Sequence, residues 1–320
     1  MEKILVTGGS GFLGSWVVRV LCRSGYRPIL LVRPETNLFR LKGLDNLEII
    51  KKESESWPEF VEKTSPNSVI SLDWSGVGNS KRNEQSQFLN IERILSVAKS
   101  AQKVGVAIYI GVGSQAEVGP TKSIISEDFP TNPTTEYGRA KCQVRLSLEE
   151  LFENTTVQFS WGRIFSTYGP LDSLSWLIPQ MILAFKNRTE FKMTKGEQNW
   201  NYLHAYDFST AILAILQEGV GQGTINIANP KTETVINIAK TVASKMDALD
   251  LLRIGAQDYR IDQVFDLVPD VRKLMSLGWK PKIEFEDGVE QLINWYLENN
   301  APLMIGNGEF LTLPEFRKEL

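Results

Sequence analysis

Hydrophobic positions in the first half of the chain fall into short runs rich in Ile, Leu and Val: Lys3 to Thr7, Pro28 to Val32, Leu47 to Ile50, Ser68 to Leu72, Val106 to Ile110 and Thr156 to Trp161. Runs of this kind predict parallel strands buried on both faces. Between several of them Phe12 to Ser24, Asn83 to Val104 and Thr135 to Asn154 carry helical patterns. After about Gly169 the pattern becomes helix-rich with short strands, the helical stretches being Asp172 to Asn187, Asp207 to Glu218, Val235 to Lys245 and Glu286 to Asn299. Strand and helix in alternation predict an α/β fold, a Rossmann-type doubly wound parallel sheet over residues 1–169. Residues 170–320 are expected to form mainly a smaller, mixed C-terminal substrate-binding lobe, with later segments free to return to the sheet domain.

Composition narrows the functional classes. At 320 residues, 42% hydrophobic and 23% charged, the chain is long enough for one large domain with a smaller lobe. The net charge is −3 and Lys and Arg are scattered, which argues against nucleic acid or a membrane surface as partner. MEKILVTGG runs from an apolar strand into glycines without a signal-peptide pattern, and no stretch approaches the apolar length of a membrane span. Two cysteines, Cys22 and Cys142, suggest no disulfide framework, and a cytoplasmic location is expected. A single histidine, His204, argues against a Ser-His-Asp triad and leaves little for a His-rich metal site, so no metal is expected.

The segment TGGSGFLG, Thr7 to Gly14, follows the first strand and opens a helix. It satisfies G-x-G-x-x-G through Gly9, Gly11 and Gly14, and the wider spacing through Gly8, Gly11 and Gly14. Glycines allow the tight turn and the close approach to a pyrophosphate, whose charge meets the amides of the helix start. Gly8, Gly11, Phe12, Leu13 and Gly14 are therefore candidate dinucleotide contacts. The second strand ends LLVRPE, placing Arg33 where a guanidinium suits the 2′-phosphate of NADP(H). The alternative is a solvated Arg33 with Glu35 reaching back to serve NAD(H).

EYGRAK places Tyr137 and Lys141 at i and i+4, on one face of a predicted helix. An ammonium and a positively charged nicotinamide beside a phenol are expected to draw its pKa down from ~10, so that it exchanges a proton with a carbonyl or alcohol. The pair alone is weak evidence. Upstream, however, the strand ending in IYIGVGSQAEVGP carries Ser114 at its C-terminal edge, where its hydroxyl can reach the same substrate oxygen.

The set formed by TGGSGFLG, Asn90 at the start of the long fourth helix, Ser114, Tyr137-x-x-x-Lys141, RIFSTYGP (163–170), NYLHAYD (201–207) and LGWKP (277–281) resembles the extended short-chain dehydrogenase/reductases of the nucleotide-sugar epimerase/dehydratase group, over nearly the whole chain. The resemblance implies that Ser114 orients the sugar oxygen, that Tyr137 transfers the proton, and that Lys141 tunes Tyr137 while binding the nicotinamide ribose. It places Asn90 and, through its backbone, Asp73 beside the cofactor, the Asp73 side chain being left to cap the next turn. His204 falls at a position often histidine in the group and reads as a packed or substrate-lobe residue. A homodimer through the helices of residues 83–104 and 135–154 is also implied.

Departures from the pattern bear on the reaction. Dehydratases of the group usually carry acidic residues just after the catalytic Ser or Thr, whereas this chain has Gln115 and Ala116. Ser166 stands where Asn is common and Trp200 where Arg is common; Trp200 suits stacking on a base or sugar, or plain core packing. Arg253 or Arg260 is left to supply the missing positive charge. The resulting expectation is NADPH-dependent reduction of a nucleotide-linked 4-keto-deoxyhexose. The alternatives are an NAD-dependent 4-epimerase and, from another class, a non-catalytic NADP-binding regulatory protein.

Overall fold

The computed structural model describes residues 2–218, 221, 223–259 and 263–298, with two short strands at 303–304 and 310–311. The first strand, β1 (Ile4–Thr7), is buried throughout and sends alternate side chains to opposite layers. Ile4 and Val6 join one apolar cluster with Val17 and Leu21 of α1 (Phe12–Arg23); Leu5 joins the other. The chain continues through β2 (Ile29–Val32), β3 (Glu48–Lys51), α2 (Trp57–Thr64), β4 (Ser68–Ser71), α3 (Leu89–Lys103), β5 (Ile108–Ser114), α4 (Glu136–Phe152) and β6 (Gln158–Ile164). Helices α2, α3 and α4 cover the face bearing Leu5, Val69 and Tyr109.

Beyond β6 come β7 (Ser166–Tyr168), α5 (Leu177–Lys186), β8 (Phe191–Met193), β9 (Asn199–Trp200), β10 (Tyr202–His204) and α6 (Ala205–Glu218). They are followed by β11 (Gly223–Ile227), β12 (Glu233–Thr234), α7 (Val235–Lys245), β13 (Leu252–Ile254), α8 (Arg272–Ser276) and α9 (Phe285–Glu298). The main sheet has seven parallel strands in the order β11-β6-β5-β4-β1-β2-β3. Its order reverses between β1 and β4, and ligands of such sheets sit outside the strand ends at that point. Thr7-Gly8 and Leu72-Asp73 meet there.

The α1 side of the sheet is completed by α6, while α5, α7 and α9 pack around Ile182, Ile238, Trp295 and Tyr296 in a separate apolar cluster. Two side chains of the sheet domain hold the start of the later segment. The indole N–H of Trp16 donates to the Pro170 carbonyl at 2.9 Å, and Arg40 Nε to the Leu171 carbonyl at 2.9 Å. They hold Leu171 at φ 75°, a conformation that a branched side chain seldom takes.

Two expected helices are shorter than their patterns predict. The one expected from Asp172 starts at Leu177, because Asp172 is buried and its carboxylate accepts the Ser173 amide at 2.7 Å in a local turn. The one expected from Asn83 starts at Leu89. The buried Gln87 amide ties residues 85–88 to the carbonyls of Gly76 (2.7 Å) and Lys81 (2.9 Å), a pull that tightens this stretch into a 3-10 turn.

Candidate active site

At Gly8 and Gly14 the glycine loop is closed by contacts that leave no room for a side chain. A Cβ on Gly14 would lie 2.1 Å from the Gly8 carbonyl oxygen, and one on Gly8, at φ +70°, 2.6 Å from the Asp73 amide nitrogen. Gly11 N–H donates to Gly8 O at 3.0 Å. At the α1 start no side chain caps the helix and no acidic residue occupies the first turn. Its free amides and positive dipole end are therefore left to an anion, and a dinucleotide pyrophosphate fits them. Arg33 and Glu35 both stand exposed just after β2, with Arg33 Nε 3.4 Å from Glu35 Oε1, so a cation and a carboxylate share this strand end.

Asp73 departs from the capping expected of it. Its carboxylate forms a short ion pair with Arg93 of α3. Asn90, almost fully buried, accepts the Ser75 amide at 2.9 Å and donates to the carbonyls of Ser75 (3.1 Å) and Gln87 (3.0 Å). Its Oδ1 also accepts from the Arg93 guanidinium at 2.6 Å, so the amide is saturated by backbone and Arg93 together, and it braces the turn after β4.

Ser114, Tyr137 and Lys141 come together across β5 and α4. The Tyr137 phenol is close enough to the Ser114 hydroxyl for Ser114 to favour its ionised form. Thr135 caps α4 by accepting the Gly138 amide at 3.1 Å. Gly138 is needed at that place, since a Cβ there would lie 2.3 Å from the Ala116 carbonyl and push α4 away from Ser114. Lys141 Nζ donates to the Val112 carbonyl at 2.7 Å and lies 3.9 Å from the Trp74 ring centroid. Burial pushes the Lys141 ammonium down to about 7, against the pull of Glu117 and Asp73.

In the protein alone, burial governs the phenol. Burial holds Tyr137 above its ordinary pKa, and the nearby Ser114 and Arg82 oppose this only in part. Desolvation of the phenolate outweighs its neighbours, so in the protein alone the hydroxyl keeps its proton near neutrality.

Four residues of the site were not read from sequence: Trp74, Arg82, Glu117 and Trp176. Arg82 accepts the Tyr137 amide on its carbonyl at 2.8 Å, and its guanidinium carbon lies 5.1 Å from the Tyr137 ring centroid and 5.9 Å from that of Trp176. Trp74 stands edge-on to Tyr137 at 5.7 Å. On the substrate side the structure joins Ser166 and Trp200, the indole N–H donating to the hydroxyl at 2.8 Å; Trp200 is half-buried. Gln115 begins the turn after Ser114. Arg253 is engaged by Glu190 at 2.6 Å, and Arg260 lies outside the described residues.

His204 is enclosed. Its Nδ1 accepts the Tyr206 amide at 3.1 Å and its ring packs edge-on to Trp16 and Tyr168. Burial alone pushes its pKa down to about 3, which leaves the imidazole neutral. Below an unfolded-state pKa of about 6.5 the unfolded chain gains a proton that the native state refuses, so stability falls with pH, by about 2 kcal/mol between pH 7 and pH 5. In urea titrations His204→Gln should lack this component, and its deficit relative to wild type should shrink by that amount at pH 5. A constant deficit would contradict a neutral buried imidazole.

Comparison with known proteins settles the family. The model of the NAD dependent epimerase/dehydratase family matches residues 4–228. The chain belongs to this family. It is thus an NAD(P)-dependent oxidoreductase of the extended short-chain dehydrogenase/reductase type. A dTDP-D-glucose 4,6-dehydratase of Mus musculus is 25% identical, covering 93% of this chain and 89% of its own. The structure of a UDP-glucose 4-epimerase of Thermotoga maritima with UDP-glucose aligns at a TM-score of 0.84, 22% identity, 93% of this chain and 99% of that one. A dTDP-glucose 4,6-dehydratase of Streptomyces venezuelae with NAD bound gives 0.84, 20% identity, 93% and 98%. These likenesses carry the Rossmann-type fold. Among the described residues no helix is long and apolar enough to cross a membrane.

Proposed function

We propose that this family member reduces a nucleotide-linked 4-keto-deoxyhexose with NADPH. One observation carries the reading: a buried phenol beside the buried Ser114 at the end of β5, held by burial above its ordinary pKa so that it keeps its proton near neutrality. A phenol in that form donates, which is what a carbonyl oxygen needs as it becomes a hydroxyl. Ser114 Oγ orients the carbonyl, the Tyr137 hydroxyl supplies the proton, and Lys141 Nζ stabilises the phenolate left behind. The nicotinamide, when bound, supplies the hydride. Arg33 at the end of β2 supports NADP(H) over NAD(H).

Dehydration is disfavoured by the side chains after Ser114. Gln115 and Ala116 offer no acid or base, and the carboxylate of Glu117 is turned inward onto the Ser114 amide, away from any substrate. A second reading, an NAD-dependent 4-epimerase, draws support from Glu35, whose carboxylate stands beside Arg33 where it would meet a ribose hydroxyl. A purely regulatory NADP-binding role leaves the Ser114, Tyr137 and Lys141 set without purpose. Leu89 and Leu146, exposed on α3 and α4, support a homodimer through those helices, and a cytoplasmic location accords with two free cysteines.

The test is a coupled assay. Absorbance at the nicotinamide band should fall when NADPH meets a UDP-, dTDP- or CDP-linked 4-keto-6-deoxyhexose, at least tenfold faster than with NADH, and Tyr137→Phe should abolish the change. Sugar epimerisation without net cofactor oxidation would decide for the second reading.

A further inference from the structure

Beneath the strand end that carries Ser114 lies an ionic cluster to which the proposed reaction assigns no part. Glu117 is fully buried. Its Oε1 accepts the Ser114 amide at 2.7 Å, and both carboxylate oxygens lie 3.2 Å from the Trp161 indole nitrogen. Arg145 Nε on α4 and Arg163 Nε on β6 each stand 3.7 Å from Oε2. The Ser114 hydroxyl reciprocates by accepting the Ala116 amide at 3.2 Å, so the turn is closed from both ends. The stretch G-S-Q-A-E works as one device: a Cβ on Gly113 would lie 2.2 Å from Trp161 Nε1 and 2.3 Å from Glu117 Oε1. Only glycine lets carboxylate and indole meet under the strand.

Fixing the Ser114 amide needs an acceptor but not a charge, and a buried charge is destabilising unless something requires it. The charges around it indicate what does. Lys141 is surrounded by the Val112 carbonyl and the rings of Trp74, Tyr137 and Trp161, and the Trp161 indole nitrogen in turn lies 3.2 Å from both Glu117 oxygens, so that one ring lies against the ammonium and the carboxylate alike. Asp73 is shared with Arg93, and Arg145 is held also by Glu149 at 2.7 Å, which leaves Glu117 as the fully buried carboxylate of the group.

We propose that Glu117 is a positioning residue of the reaction: its carboxylate fixes the Ser114 turn and supplies the negative charge that keeps Lys141 an ammonium inside the protein. Both carboxylate oxygens face N–H donors, which is the environment of an ionised group. Burial pulls the other way on Glu117, and the two arginines, the Ser114 amide and Lys141 oppose it. On Lys141, Glu117 is the foremost influence against burial. The role rests on reading Ser114, Tyr137 and Lys141 as the reacting set.

The test follows the charge on Lys141 directly and needs no sugar, so it can fail or succeed independently of the reductase reading. Protein labelled with [ε-13C]lysine, with the Lys141 signal assigned by its absence in Lys141→Met, is titrated by NMR. Wild type should show a midpoint near pH 7. In Glu117→Gln, which keeps an acceptor for Ser114 but removes the charge, the midpoint should fall by at least one pH unit, a tenfold loss of proton affinity. Glu117→Asp should stay within half a unit of wild type. An unmoved midpoint in Glu117→Gln, or an equal fall in both variants, overturns the proposal. Should Glu117→Gln not fold, [δ-13C]glutamate wild type serves, with Glu117 assigned through the Asp variant. An ionised carboxylate at pH 7 whose shift steps at the Lys141 midpoint supports the proposal; a protonated carboxyl at pH 7, or no such step, overturns it.

Discussion

Lys141→Met is expected to give a more stable protein that has lost its turnover. Burial has pushed the Lys141 pKa down to about 7, well below the ordinary lysine value. Between about pH 10.5 and pH 7 the unfolded chain carries a proton on this side chain that the native state resists, so native stability falls as pH falls through that window and levels off below it. Methionine has similar length and no charge, and Glu117 keeps Arg145, Arg163, Trp161 and the Ser114 amide as partners. The variant should therefore gain ~2–4 kcal/mol at pH 7, shrinking toward pH 10, when compared with wild type by urea unfolding. Turnover should fall by about a thousandfold or more, because a phenol held above its ordinary pKa then keeps, among the described residues, only Arg82 as a cation beside its phenolate. A variant less stable than wild type at pH 7 would show that the ammonium helps to hold the fold.

Gly14→Ala should abolish cofactor binding where Gly11→Ala only weakens it. At Gly14 the new methyl would meet backbone, 2.1 Å from the Gly8 oxygen and 2.8 Å from the Gly9 Cα. Backbone cannot swing aside as a side chain can, so the loop must open and α1 must shift. At Gly11 the first atom met is the Gly8 oxygen at 3.3 Å, a contact that a small adjustment relieves. Calorimetric titration with NADPH and NADH should register a loss on the order of a hundredfold or more for Gly14→Ala, with a stability loss of ~2–4 kcal/mol. Equal affinities in the two variants would mean that the loop is not the cofactor cradle.

What could be read from the sequence was local. The glycine loop and the Tyr137-Lys141 pair are fixed by spacing within one strand-loop-helix or one helix turn, and the buried strands announce themselves by continuous Ile, Leu and Val. Glu117 was hidden because its character comes from Arg145, 28 residues on, which the packing of α4 brings to it, and Arg163, 46 residues on, which the pairing of β6 with β5 brings beneath it. Trp74 and Trp176 carry no periodic signal: both sit in turns whose paths are set by Asn90, Gln87 and Asp172. The early start expected for α5 failed for the same reason, since the pattern at 172–176 does not reveal that Asp172 points inward. The burial that holds the Tyr137 phenol up in the protein alone is likewise invisible in sequence, whereas the neighbouring Lys141 is plain in it.

The bonds from Trp16 and Arg40 to residues 170 and 171 bear on anyone who would recombine this chain with a relative. A crossover at residue 169, where the pattern of the sequence changes, would set a foreign loop against an indole and a guanidinium that hold this one by its carbonyls. It would also sever β6 from its neighbour β11, which lies on the other side of the cut. Chimeras that exchange the sugar-facing segments while leaving α1, residue 40, residues 170–171 and β11 of common parentage keep those joints intact.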